Sequence, residues 1–140
     1  MKPNEIEFSY RWSSLQGKVI TGAVFGLEAR PQEEIRSELR ANQKYRARTQ
    51  DLRFPSAGSV FKNPAGFAQT AGRMIDVVNL RGSRVGDAQI SEKHGNFIVN
   101  RGGARAGDVL ELIDHARSKV KQAFGVELEL ELKYIRSLAS

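Results

Sequence analysis

The chain has 140 residues, 40% of them hydrophobic, and its 22 Lys and Arg against 16 Asp and Glu leave a formal charge of +6. This is globular composition, and a fold of this size hides roughly 68–70% of its unfolded surface, enough for a real core. The lack of cysteine excludes a disulfide scaffold, thiolate zinc sites, iron–sulfur clusters and a cysteine nucleophile, and two histidines, His94 and His115, are too few for an all-histidine zinc site.

No apolar run approaches the ~20 residues that cross a bilayer. The start, Met1-Lys2-Pro3-Asn4-Glu5, has no apolar signal core, so a cytoplasmic protein with no membrane partner is expected. The positive excess suits an anionic partner such as nucleic acid or nucleotide phosphate, and it suits a plain solvated surface equally.

In chain order, Val19, Ile20, Val24, Phe25 and Leu27 within residues 17–29 predict one or two strands broken at Gly22. Pro31 opens a helix, with Glu33 and Glu34 near its positive end and Lys44, Arg46 and Arg48 near its negative end. The apolar stripe of that helix is thin, so it belongs on a surface. Residues 53–64 form a connector holding a short strand, Ser59-Val60-Phe61. Phe67, Ala71, Met74, Ile75 and Val78 recur at helical spacing and predict a second helix. Residues 84–90 and 97–100 read as strands, with turn chemistry at His94-Gly95-Asn96. A third helix follows from Val109 through Leu112, Ile113, Ala116 and Val120 to Phe124, stopped by Gly125. Last, Val126, Leu128, Leu130, Leu132 and Tyr134 alternate with charged residues as a half-buried strand. The sum is an α+β fold with a small mixed sheet and two or more helices.

Several groups of residues carry candidate chemistry. Arg36, Arg40, Lys44 and Arg48, spaced by four, share one helix face that would track a phosphate backbone; a solvated face is the plainer reading, because no aromatics interleave. In Ser56-Ala57-Gly58-Ser59-Val60-Phe61-Lys62-Asn63-Pro64, alternation puts Ser59 and Asn63 on one face. The stretch is neither a nucleophile elbow nor a P-loop, and spacing alone favours a simple turn. Glu127, Glu129 and Glu131 are candidate acids or bases, and the period alone does not choose among them.

Taken together, four ordered motifs resemble the UDP-N-acetylenolpyruvoylglucosamine reductases, the MurB family. They are Phe8-Ser9-Tyr10-Arg11-x-Ser13, the Ser56–Pro64 stretch, Ser91-Glu92-Lys93-His94-Gly95-Asn96-Phe97-Ile98-Val99-Asn100, and Phe124-Gly125-Val126-x-Leu128-Glu129-x-Glu131. Gly95 stands where alanine is common in that family, and Arg136 where glycine is usual. The resemblance implies the end of a flavin-binding domain over residues 1–50, a substrate-binding domain over 51–132, and a tail, 133–140, that packs back on the flavin domain. It implies reduction of UDP-N-acetylglucosamine enolpyruvate to UDP-N-acetylmuramate with NADPH and FAD, in peptidoglycan precursor synthesis. By resemblance Ser59 is the proton donor, Arg11 binds the substrate carboxylate and Glu131 is the catalytic glutamate. Asn63 and His94 align with substrate contacts, and Tyr10 and Gln50 join them less closely. Nothing here matches the N-terminal half that supplies most of the family's FAD site. The chain alone is therefore expected neither to hold FAD tightly nor to turn over, and an N-terminal FAD-binding half is the expected partner. The alternative, a nucleic-acid module using the Arg36, Arg40, Lys44 and Arg48 stripe, leaves the four motifs unexplained.

Overall fold

The computed structural model describes residues 1–135; the end of the expected tail, 136–140 with Arg136, lies outside the described residues. The chain divides into two compact units, Met1–Ile35 and a larger one from Arg36 onward.

In the first unit a short 3-10 turn, Pro3–Glu5, precedes a hairpin of β1 (Phe8–Ser9) and β2 (Trp12–Ser13). Residues 17–29 do not form the expected strand. Val19, Val24 and Leu27 are almost fully exposed along an irregular path. The physical reason is that a strand exists only through a neighbour for its N–H and C=O groups. Among the described residues, none pairs with this segment.

Helix α1 runs over Gln32–Thr49, and Pro31 stands just ahead of it with its carbonyl accepting from Glu34 and Ile35. None of its residues is buried, as the thin apolar stripe implied. Beyond it lies one four-stranded sheet in the order β3 (Ser56–Ser59), β6 (Phe97–Asn100), β5 (Ala88–Ile90), β4 (Arg84–Val85). Every pairing is antiparallel, not mixed. Short reversals join β4 to β5 and β5 to β6, and a parallel pair would need a long crossover in their place.

Helix α2 is Ala71–Val77. The Thr70 hydroxyl caps it by accepting the Arg73 N–H at 3.3 Å, so the helix starts after Phe67, which stays half exposed instead of joining the apolar face. Helix α3, Ala106–Phe124, opens with Asp108 accepting the Arg105 N–H at 2.9 Å. It ends where Gly125 turns left-handed with φ +69°. Helix α3 lies against β4 and β5, and α2 packs against α3. Met74, Ile75, Leu112, Ile113 and Val120 pack there on Val60, Phe61, Ala88, Ile90 and Ile98.

The C-terminal segment keeps its period-two burial: Val126 and Leu128 are buried, Glu127 and Glu129 exposed. It is an extended run with one antiparallel bridge, Phe61 to Leu130, not a full strand. Its partner is short, because Pro64 follows three residues after Phe61 and has no N–H to continue a ladder. Among the described residues no helix is long and apolar enough to cross a membrane.

Leu128→Ala is expected to lower the unfolding free energy by about 2–5 kcal/mol. Leu27→Ala, at an exposed position, is expected to change it by less than about 0.5 kcal/mol. Urea denaturation of the two variants checks the contrast, and equal losses would place the extended C-terminal segment outside the core.

Candidate active site

Ser59 ends β3, half-buried, and the next two residues are held on both sides. On one side the Val60 N–H donates to the Asn96 carbonyl at 2.9 Å. The Asn96 side chain then takes both main-chain groups of Phe61: its Oδ1 accepts the Phe61 N–H at 2.9 Å and its Nδ2 donates to the Phe61 carbonyl at 2.8 Å. Asn96 is only 5% exposed, so these bonds are shielded from competing water. On the other side the Glu131 N–H donates to the Val60 carbonyl and the Lys62 N–H to the Glu129 carbonyl, each at 2.8 Å. Main-chain pairing thus brings Glu131 alongside the residue that follows Ser59.

The three carboxylates of the C-terminal segment differ in their partners. Glu127 bonds Lys121 at 2.9 Å, and that ammonium holds its carboxyl below the ordinary range. Glu129 pairs with Lys62 on the solvent side. Glu131 is half-buried next to the Ser59 strand.

Asn63 caps the exit from this strand, its Oδ1 accepting the Ala71 N–H at 3.1 Å where α2 begins. His94 sits in the reversal between β5 and β6. Its Nδ1 accepts the Asn96 N–H at 3.2 Å, and its ring meets Phe97 at 4.5 Å between centroids. Burial pushes its pKa below the ordinary 6.5, against the pull of Asp76. The hairpin lies close on α2. A side chain on Gly95 would meet the Gly72 carbonyl at 2.6 Å, and one on Gly72 would meet the His94 ring at 3.3 Å.

His94 lines a cavity of about 320 Å³ with Tyr45, Arg48, Arg73, Arg81 and Lys93. Asp76 pairs in bidentate fashion with Arg81 and raises its pKa. Among the described residues neither Arg48 nor Arg73 is in an ion pair. The cavity therefore offers positive charge and guanidinium donors to an anion of phosphate type.

The remaining expected residues are Gln50, Tyr10 and Arg11. Gln50 is at the end of α1, its N–H donating to Arg46 at 2.8 Å. Tyr10 and Arg11 form the tip of the β1–β2 hairpin in the first unit. Arg11 has a left-handed backbone, φ +58°, with its guanidinium over the Tyr10 ring at 5.7 Å. Such a conformation in a residue with a long side chain costs about 1–3 kcal/mol and clusters at functional positions. Among the described residues no three His, Cys, Asp or Glu converge as a metal site.

Comparison with known proteins bears on what this site belongs to. Residues 50–135 match the family model described as UDP-N-acetylenolpyruvoylglucosamine reductase, C-terminal domain. The chain belongs to that family. It is similar to UDP-N-acetylenolpyruvoylglucosamine reductase 2 of Symbiobacterium thermophilum, with 49% identity over 94% of this chain and 42% of the relative. Reductase 1 of Bacillus cereus is 48% identical over 94% of this chain and 44% of its own length. A crystal structure of the Thermus caldophilus reductase (MurB) superposes with a TM-score of 0.73 at 45% identity, covering 92% of this chain and 46% of that one. The chain thus spans less than half the length of these reductases.

Two features of this site were not legible in the sequence. Asn96 was visible only as a turn residue, since nothing local signals that its amide reaches a strand 35 residues away. The cavity cations come from α1, α2 and two loops: Arg48 stood out as part of a helix stripe and Lys93 as part of the Ser91–Asn100 motif, while Arg73 and Arg81 carried no signal.

Asn96→Ala strands two main-chain groups and is expected to destabilise the chain by about 2–4 kcal/mol in urea denaturation; an unchanged midpoint would contradict the bracing role. His94 has a lowered folded pKa, so the unfolded state binds more protons below 6.5. Stability is full above about 6.5 and falls as pH drops from there toward the lowered folded value. His94→Gln is expected to flatten the slope of stability as pH falls below about 6.5, and a slope unchanged in that variant would contradict it.

Proposed function

We propose that this chain is the substrate-binding portion of a flavin- and NADPH-dependent reductase that converts UDP-N-acetylglucosamine enolpyruvate to UDP-N-acetylmuramate. Residues 51–132 are the substrate-binding domain and 1–50 the end of the flavin-binding domain. The observation that carries this reading is the 2.8 Å bond from the Glu131 N–H to the Val60 carbonyl, which sets the glutamate beside the serine strand.

FAD bound mainly by the rest of a full-length reductase would supply the hydride for the enolpyruvyl double bond, with NADPH as its source. The residues of this chain handle the substrate and the remaining proton. Hydride addition leaves negative charge on the carbon next to the carboxylate, and delocalisation gives that carboxylate enol character. Arg11 binds the carboxylate through two parallel N–H donors and stabilises the charge. Glu131 shares a proton with it as its oxygens become more basic. The Ser59 hydroxyl gives its proton to the carbon and recovers one from solvent. A serine is a weak acid, so this transfer needs close alignment, which the double bracing of Val60 and Phe61 favours. The diphosphate of the UDP sugar lies against Arg48 and Arg73, with His94, Asn63, Tyr10 and Gln50 as further substrate contacts.

The described residues do not by themselves fit FAD, which needs an apolar slot for its ring beside donors for its pyrophosphate. The cationic cavity is lined largely by charged groups, and an apolar one of about 550 Å³ in the first unit, along Ile6, Phe8 and Val19, holds one cation, Lys18. FAD would be held mainly by the N-terminal half of a full-length reductase.

The chain incubated with excess FAD and gel-filtered is expected to be colourless and inactive; a retained flavin band with substrate-dependent NADPH oxidation would contradict that. In a chimaera with the N-terminal half of the Thermus caldophilus enzyme, Ser59→Ala is expected to spare flavin reduction by NADPH. It should slow flavin reoxidation by substrate at least about 100-fold. Equal loss of both half-reactions would refute the proton-donor role.

A further inference from the structure

Helix α1 contributes Tyr45 and Arg48 to the cationic cavity, yet none of its residues is buried. Apolar packing therefore does not hold its last turn, and an unpacked helix end frays unless something ties it. The Lys93 ammonium donates to the Ala47 carbonyl at 3.1 Å, from the β5–β6 reversal across to the last turn of α1. A cation is well placed there, at the negative end of the helix dipole. Just beyond, Asp51 is 5% exposed and fixed by Arg53 through Nε at 3.0 Å and Nη2 at 3.2 Å. Its carboxylate also feels the Lys93 charge. Tyr45 and Arg48 lie within two residues of the Ala47 carbonyl that Lys93 holds.

We propose that Lys93 is a positioning residue for anion binding: by holding Ala47 it fixes the last turn of α1, so that Arg48 and Tyr45 face the same cavity as Arg73 and His94. This rests on the reading of that cavity as the site for the nucleotide diphosphate. Lys93 thus acts through Arg48 instead of adding one more independent charge.

The test is a double-mutant cycle on the full chain, with UDP as the probe in isothermal titration calorimetry. Lys93→Met and Arg48→Gln are each expected to weaken UDP binding about 10-fold, and the double variant no more than about 10-fold. Lys93→Arg, which keeps a donor for Ala47, is expected to restore most of the affinity. Additive losses, near 100-fold in the double variant, would mean that Lys93 touches the ligand independently and would overturn the proposal. A second readout needs no ligand. Amide exchange over residues 45–49 is expected to speed up in Lys93→Met and to stay unchanged in Arg48→Gln. Unchanged exchange in Lys93→Met would overturn the positioning role. Faster exchange in a chain that does not bind UDP would uphold the tie and remove the diphosphate reading of the cavity.

Discussion

The pair of hydrogen bonds between the Asn96 side chain and the main chain of Phe61 is the constraint on which the site depends. One amide satisfies both main-chain groups of a residue in the serine motif and does so away from water. The Asn96 carbonyl takes the Val60 N–H as well, so two successive residues are fixed from one side. The opposite edge is then available to the C-terminal segment, which bonds Val60 and Lys62 through the main chain of Glu131 and Glu129. A short stretch beside a proline is too brief to make a stable strand alone. Braced from both sides, it becomes the common wall that joins Ser59, Glu131 and the β5–β6 reversal.

The same reversal serves the cationic cavity. His94 accepts the Asn96 N–H, and its ring lies on α2 where Gly72 leaves room. Protonating His94 would add a cation to the cavity and remove the acceptor that Asn96 uses. Burial favours the neutral form, so the brace is kept near neutral pH. Positive charge comes instead from guanidinium groups, which stay charged at every accessible pH. That division lets one face carry positive charge while the wall next to it stays fixed by neutral hydrogen bonds.

Much of the fold was legible where burial and periodicity agree. The third helix, with Leu112, Ile113, Ala116 and Val120 on one stripe and Gly125 at its end, formed as its pattern implies. The hairpin around His94-Gly95-Asn96 was legible from its turn residues, but the all-antiparallel sheet was not, because β3 meets β6 across a long stretch of chain that carries no signature of direction. Residues 17–29 have the apolar content of a strand, but content does not supply a partner for the backbone, and here the pattern misled. The C-terminal alternation correctly gave the buried face and overstated the hydrogen bonding. The serine motif and the glutamates were visible as residues. Their juxtaposition was not, because it depends on contacts about 70 residues apart in sequence. Asn96 and the cavity arginines follow the same rule: their work is long-range, and local sequence reports only their polarity.

The central claim is that Ser59, Glu131 and the cationic cavity bind one ligand, the UDP sugar enolpyruvate. Amide chemical-shift mapping of the 15N-labelled chain during titration with that substrate tests it most directly. The account predicts saturable shifts at Ser59, Val60 and Glu131 together with Gly72, Arg73, His94 and Gly95, all with one dissociation constant. Shifts confined to the outer face of α1, or no shifts at saturating substrate, would contradict it.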